Sequence, residues 1–237
     1  MMLKFIIGFE RNAGMTRAAC HEYLRTVHGP LVRSVPEFAH HVRGYVQNYA
    51  LPEVPELGAP GFVADGAAEL WFDTAESFVT AFAEPRYLEL VRPDEARFTN
   101  PTRYIATFTR ETTLWDEGSA PEFKLMRFLT LQTGVPESGA KALWSGPYAQ
   151  ALRAGAAARP LARRYVQNWS IPSGDNPFPL ARHFAGVDEF WFDTVRDAVE
   201  FLRSDPKALA DSGASKVMNL GESISLLVRE GVMPGYR

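Results

Sequence analysis

The sequence predicts an α+β fold: two ferredoxin-like units whose antiparallel sheets pack face to face into a barrel within one chain. Three observations carry that prediction. The 237-residue chain matches itself at a shift of 120 positions. Each half runs strand, helix, strand, strand, helix, strand by its hydrophobic periodicity. The strands also carry two distinct faces, and helices covering one face leave the other to be hidden.

The internal match is specific. Tyr45-Val46-Gln47-Asn48 returns as Tyr165-Val166-Gln167-Asn168, and Glu69-Leu70-Trp71-Phe72-Asp73-Thr74 as Glu189-Phe190-Trp191-Phe192-Asp193-Thr194. Leu3-Lys4-Phe5 meets Phe123-Lys124-Leu125, and Arg110-Glu111 meets Arg229-Glu230 at a shift of 119. A period this long implies duplicated domains rather than a solenoid. The expected units are 1–116 and 122–237, joined through the polar, turn-rich stretch from Trp115 to Pro121.

In the first unit, the apolar run Leu3 to Phe9 reads as a strand, and Asn12-Ala13-Gly14 as a turn. Thr16 is a suitable N-cap for a helix from Arg17 to His28, whose Cys20, Tyr23, Leu24 and Val27 have helical spacing. Gly29-Pro30 is expected to stop it, leaving an irregular segment through Pro36. Val42 to Leu51 and Ala67 to Asp73 are strands. Thr74 caps a helix whose Phe78, Val79 and Phe82 form one face, with further helix around Tyr87, Leu90 and Val91. Arg103 to Leu114 closes the unit. The second unit repeats this with strands at Phe123 to Leu131, Arg164 to Ile171, Asp188 to Asp193 and Ser223 to Glu230, and helices at Ser138 to Trp144 and Val195 to Leu202.

Composition excludes several classes. A net charge of −3 with no basic run gives no electrostatic footprint for nucleic acid. A single cysteine, Cys20, rules out an internal disulfide framework and a thiolate zinc site. No stretch has the ~18 apolar residues of a membrane span, and the N-terminus lacks a cleavage-site pattern, so a cytoplasmic protein is expected. His40 and His41 are adjacent, and His21 and His28 lie two helical turns apart, so no metal site is expected. There is no phosphate-binding glycine loop, dinucleotide fingerprint or nucleophile elbow.

Strand alternation suggests that a mixed aromatic and polar set lines the barrel interior: Tyr45, Gln47, Glu69 and Trp71, with Tyr165, Gln167, Glu189 and Trp191 opposite. Glu69 and Glu189 would be buried carboxylates, suited to acid/base work or to pairing with Arg43 or Arg163. His28 stands at a helix end, where an imidazole that titrates near neutral pH can transfer protons or simply cap the helix.

The first unit resembles the EthD domain. The likeness is carried by His28-Gly29-Pro30-Leu31-Val32, Tyr45-Val46-Gln47-Asn48, Ala68-Glu69-Leu70-Trp71-Phe72-Asp73 and Arg92-Pro93-Asp94-Glu95-Ala96-Arg97-Phe98. The second unit keeps the Tyr-Val-Gln-Asn and Glu-Phe-Trp-Phe-Asp blocks, sets Ser145-Gly146-Pro147 against His28-Gly29-Pro30, and has nothing like the Arg-Pro-Asp-Glu block. The resemblance implies an intramolecular version of the dimeric α+β barrel. Domains of this kind act as cofactor-free dehydratases, cyclases, isomerases and monooxygenases on aromatic or polyketide-like substrates, and the wider superfamily includes haem binders. The expectation is therefore a cofactor-independent acid/base enzyme for a small apolar metabolite. His28 and Glu69 would be catalytic, and Tyr45, Gln47, Trp71, Tyr165, Gln167, Glu189 and Trp191 would bind substrate. The alternatives are a cofactor-free monooxygenase and a non-catalytic binding protein. No cofactor is expected, haem being the one candidate. The expected partner is a small molecule, with no nucleic acid or membrane, and the assembly a monomeric pseudo-dimer or a homodimer of pseudo-dimers.

Overall fold

A computed structural model describes residues 2–52, 54, 57, 64–118, 120–155, 161–172 and 183–233; Ser119 of the expected join and both chain ends lie outside them. The first half contains β1 (Leu3–Arg11), α1 (Arg17–Tyr23), α2 (Gly29–Arg33), α3 (Pro36–Ala39), β2 (Val42–Ala50), β3 (Gly66–Phe72), α4 (Ala75–Ala83), α5 (Arg92–Phe98) and β4 (Thr99–Asp116). The second contains β5 (Phe123–Leu129), α6 (Glu137–Leu143), α7 (Ala149–Gly155), β6 (Arg164–Ser170), β7 (Gly186–Phe192), α8 (Val195–Ser212) and β8 (Ile224–Val232). No helix among the described residues is long and apolar enough to cross a membrane.

All eight strands form one closed antiparallel barrel in the order β1-β3-β2-β8-β5-β7-β6-β4. Each half supplies four neighbouring strands. The β2–β8 and β4–β6 seams join them by hydrogen bonds, with Asn48 opposite Glu230 and Glu111 opposite Asn168. Closure gives each of the eight strands a hydrogen-bonded neighbour on both sides. Within the halves the registers repeat at the 120-residue shift. Ile7 faces Ala68 as Arg127 faces Asp188, and Gln47 faces Ala68 as Gln167 faces Asp188.

Local signals explain the helices. Thr16, Thr74 and Thr194 cap α1, α4 and α8, each accepting a backbone N–H at 3.1 Å. Gly29-Pro30 does not stop the first helix. The chain widens into a π turn over Leu24–His28 and continues into α2, because proline is tolerated in a first helical turn where its missing N–H is not needed. A further helical turn, α3, occupies part of the segment expected to be irregular. Val79 is exposed rather than sharing the buried face of Phe78 and Phe82, since it lies about 100° around the helix from Phe78. Helix α8 runs on through Pro206, well past the expected end at Leu202.

The core has three layers. An aromatic cluster that includes Phe5, Phe38, Phe72, Phe78 and Phe82 lies between the first half's sheet and its helices. Its counterpart in the second half includes Tyr165, Phe190, Phe192 and Phe201. Inside the barrel, Ile6, Ala67, Met126, Val187 and Leu226 fill part of the space.

Candidate functional site

Strand register separates the expected site residues into two places. On β3, Glu69 and Trp71 point into the barrel. On β2, Tyr45 and Gln47 stand opposite Leu70 and Ala68 and so point the other way, toward the helices. Tyr165 and Gln167 do the same in the second half, opposite Phe190 and Asp188. The expectation of one interior set is therefore corrected. Antiparallel register places Val46 and Asn48, not Tyr45 and Gln47, on the face of Glu69.

The interior set forms a buried ionic cluster. Lys4 Nζ lies 2.7 Å from Glu69 and 2.6 Å from Glu189, while Lys124 pairs with Glu69 and lies 2.9 Å from Glu230. Asn48 and Asn168 donate to Glu69 and Glu189 at 2.7 and 2.8 Å. Each ammonium also sits over a tryptophan, Lys4 over Trp71 at 4.7 Å and Lys124 over Trp191 at 5.1 Å. Burial pushes the Glu69 carboxyl up, but Lys124 and Lys4 outweigh it and hold it well below the ordinary range. Burial and the neighbouring Glu69 charge raise Glu189 instead. The expected partners Arg43 and Arg163 pair with Asp73 and Asp193, near the strand ends. Lysines, rather than arginines, answer the carboxylates because Lys4 and Lys124 belong to the repeated opening block and point inward.

The other set meets a cavity. Between the outer face of β1, β3 and β2 and the first half's helical layer lies a space of about 190 Å³. Its walls are mainly apolar, with Phe5, Leu24, Ala68, Leu70 and Phe98 among them, and they include His28 and Tyr45. Gln47 does not line it. Its amide donates to the Leu24 carbonyl at 3.1 Å and to Tyr45 Oη at 3.0 Å, and it accepts from Tyr49 at 2.7 Å. Gln47 thereby satisfies a carbonyl at the start of the π turn, and that turn presents His28 at its last residue. Gly29 makes the close approach possible, since a Cβ there would stand 2.3 Å from Met233 and 2.9 Å from Gln47.

His28 is buried, with its ring 4.6 Å from that of Phe98. Its Nδ1 lies 3.0 Å from Asp94 Oδ2, and Tyr23 donates to Asp94 Oδ1 at 2.5 Å. The hydrogen bond from His28 is the largest influence on Asp94 and, with Tyr23, keeps its carboxyl below the ordinary range despite burial. An ionised Asp94 calls for a proton on Nδ1, which leaves Nε2 as the basic nitrogen. Asp94 is a candidate site residue that the sequence alone did not single out. The available signal was an acid within Arg92-Pro93-Asp94-Glu95, a block found in the same half as the histidine. At the cavity's polar end, Tyr87 donates to Glu95 at 2.6 Å, and Arg92 pairs with Glu95 at 2.9 Å.

The second half has a different content at the matching positions. Tyr148, the last residue of the π turn over Trp144–Tyr148, occupies the place of His28; the expected counterpart, Ser145, lies one residue into that turn. Gln167 again anchors the turn, through the Trp144 carbonyl at 2.9 Å. The space is filled by side chains. Arg127 pairs with Asp205 at 2.7 Å, and Tyr148 donates to Asp205 at 2.6 Å. Trp144 and Tyr165 donate to Asp188 at 2.7 and 2.6 Å. His28 and Tyr45 thus share one cavity. Glu69, Trp71, Glu189 and Trp191 lie in the barrel interior, and Tyr165 and Gln167 in the filled second half.

Comparison with known proteins agrees with this asymmetry. The family model described as EthD domain matches residues 12–102. A curated protein of Metarhizium robertsii, the conidial pigment biosynthesis dehydratase EthD, is 31% identical over 104 residues, covering 41% of this chain and 73% of the relative. Among solved structures, an anthrone oxidase-like protein aligns over 100% of this chain and 94% of its own, with a TM-score of 0.62 and 11% identity. A mutant chlorite dismutase from Candidatus Nitrospira defluvii aligns over 96% and 91%, with a TM-score of 0.52 and 8% identity. Identities that low speak to the fold alone.

Proposed function

Since the chain belongs to the EthD-domain family, we propose that it is a cofactor-independent enzyme that performs acid/base chemistry on a small aromatic or polyketide-like molecule held in the first-half cavity. The observation that carries this reading is His28, on the wall of a mainly apolar space, with Asp94 on its Nδ1. The family model matches residues 12–102, within the half that holds this pair, and a 31% identical relative is a dehydratase; both support the same reading.

The chemistry follows from the pair. Asp94 fixes the imidazole with its proton on Nδ1 and stabilises the charge that develops on the ring. Nε2 then takes the proton from a carbon beside a substrate carbonyl, and the C–H electron pair moves onto the carbonyl oxygen as an enolate. The imidazolium returns the proton to a departing hydroxyl as the carbonyl re-forms, releasing water, or to another carbon, giving an isomer. The mainly apolar walls lower the local dielectric and strengthen these electrostatic interactions. Glu69 takes no part in this scheme, because two lysines inside the barrel hold it ionised and it does not line the cavity. The scheme draws on no cofactor, and a mainly apolar space of about 190 Å³ suits a two- or three-ring organic molecule.

The test uses β-tetralone, an enolisable bicyclic ketone, as probe. Proton NMR in deuterated buffer should show the protein accelerating exchange of the hydrogens beside the carbonyl. His28→Ala should reduce that acceleration by ~10²–10⁴ with the circular dichroism spectrum intact. No acceleration over buffer, or full activity in His28→Ala, would contradict the proposal.

A further inference from the structure

Tyr23 stands five residues before His28, and both reach the same carboxylate. Tyr23 Oη donates to Asp94 Oδ1 at 2.5 Å, while His28 Nδ1 meets Asp94 Oδ2 at 3.0 Å. In an α-helix, residues five apart point ~140° away from one another. Here the backbone between them is a π turn, closed by the bond from the Gly29 N–H to the Leu24 carbonyl five residues back. The wider turn carries the two side chains round to one side, so a single acid on α5 serves both. The Tyr23 ring lies 5.8 Å from that of Phe98, which also packs against the imidazole. Partial burial and the Asp94 carboxylate raise the Tyr23 phenol above its ordinary range, so the proton stays on the hydroxyl. The second half has the turn without this arrangement. Leu143 and Tyr148 hold the places of Tyr23 and His28, and Leu143 has no hydroxyl to offer. There Tyr148 itself donates to Asp205 Oδ1, and Arg127 pairs with Oδ2 of that acid. The π turn thus belongs to the frame, whereas the tyrosine stands in the half that holds the histidine.

We propose that Tyr23 is a positioning residue for the reaction, holding Asp94 by Oδ1 so that Oδ2 stays on the Nδ1–H of His28 and Nε2 is kept as the base. The proposal rests on the acid/base reading of this cavity. The last torsion of an aspartate is broad, so partners, not rotamer preference, must fix where its two oxygens point. Arg97 also approaches Oδ1, at 3.8 Å, but its side chain is mostly exposed and water competes for it. Tyr23 supplies the short, fixed contact. Without it the carboxylate can turn, and the imidazole can take the other tautomer, which presents an N–H rather than a lone pair at Nε2.

The experiment reads His28 directly. In proton NMR the Nδ1–H held by Asp94 should give a downfield imidazole resonance, identified by its absence from His28→Ala. Tyr23→Phe keeps the ring and removes the hydroxyl, and the resonance should then be lost to exchange with water. The same variant should slow β-tetralone exchange at saturating ketone by ~10-fold with KM unchanged, the scale of one hydrogen bond to a charged group. In the His28→Ala background it should cost nothing further, because the tyrosine acts through the imidazole. Tyr23→Leu, which installs the residue that the second half's turn carries, decides the matter by the same readings if Tyr23→Phe does not fold. No such resonance in wild type, an unchanged resonance and rate in the variant, or an equal further loss in the His28→Ala background would overturn the role of Tyr23. If wild type still catalysed exchange and His28→Ala did not, the acid/base reading would stand without Tyr23. Absent exchange by wild type would overturn both.

Discussion

The two halves build the same frame and put opposite contents into it. In the first, Ile7, Leu24, Ala68 and His28 surround a cavity of about 190 Å³. In the second, Arg127, Trp144, Asp188 and Tyr148 hold the matching positions and bond to one another or to Asp205, Tyr165 and Gln167. Frame and content are therefore separable. The Tyr-Val-Gln-Asn strand, the glutamine-anchored π turn and the threonine caps recur on both sides, whereas chemistry depends on which side chains face the helical layer.

The largest expected effects break the comparison at its chemical end. His28→Ala should reduce catalysed proton exchange by ~10²–10⁴, whereas Tyr148→Phe should leave the rate unchanged. Equal losses in the two variants would mean that the second half takes part in the reaction.

Stability should show the reverse asymmetry. Arg127→Met strands Asp205 as a buried charge and should lower the unfolding free energy by ~3–5 kcal/mol in urea titrations. Ile7→Met at the matching position, beside the cavity, should cost under ~1.5 kcal/mol.

The pH dependence of stability sharpens the contrast further. Burial, against the opposing influence of Arg127, raises Asp188 to about 7. A raised carboxyl favours folding while it stays protonated. Its contribution is complete below the unfolded value near 4 and is lost as pH rises toward 7. Asp188→Asn should remove this loss, so its stability relative to wild type should grow by on the order of 3–4 kcal/mol from pH 4 to pH 7. A pH-independent difference would contradict the assignment. The smallest effects should be equal in the two halves: Thr74→Ala and Thr194→Ala remove matching N-caps, and each should cost ~1 kcal/mol.

Much of the frame was legible in the residues, because repeated blocks and alternating strands state it twice. The barrel, its strand order within each half and the Thr16 and Thr74 caps follow from those patterns. What misled was register. Tyr45 and Glu69 both sit in mixed strands, but which face each takes depends on pairing across β2 and β3, and pairing is not local. Matching Ser145-Gly146-Pro147 to His28-Gly29-Pro30 followed the Gly-Pro dipeptide. Holding the 120-residue shift instead leads to Tyr148, and the same shift pairs Ala68 with Asp188. Asp94 stayed hidden because it is brought to His28 by the packing of α5 against the π turn, a contact across 66 positions. The lysine partners of Glu69 and Glu189 were visible in the repeated opening block, yet only barrel closure brings Lys124 to Glu69.

The central claim is that one half holds the site and the other fills the matching positions with side chains bonded to one another. A crystal structure of the protein grown with 2-naphthol tests this most directly. The account predicts one molecule per chain, in the first-half cavity with its ring beside His28, and an unchanged Arg127–Asp205 and Asp188 network. Naphthol bound inside the barrel, or displacing Trp144 in the second half while the His28 cavity stays empty, would contradict it.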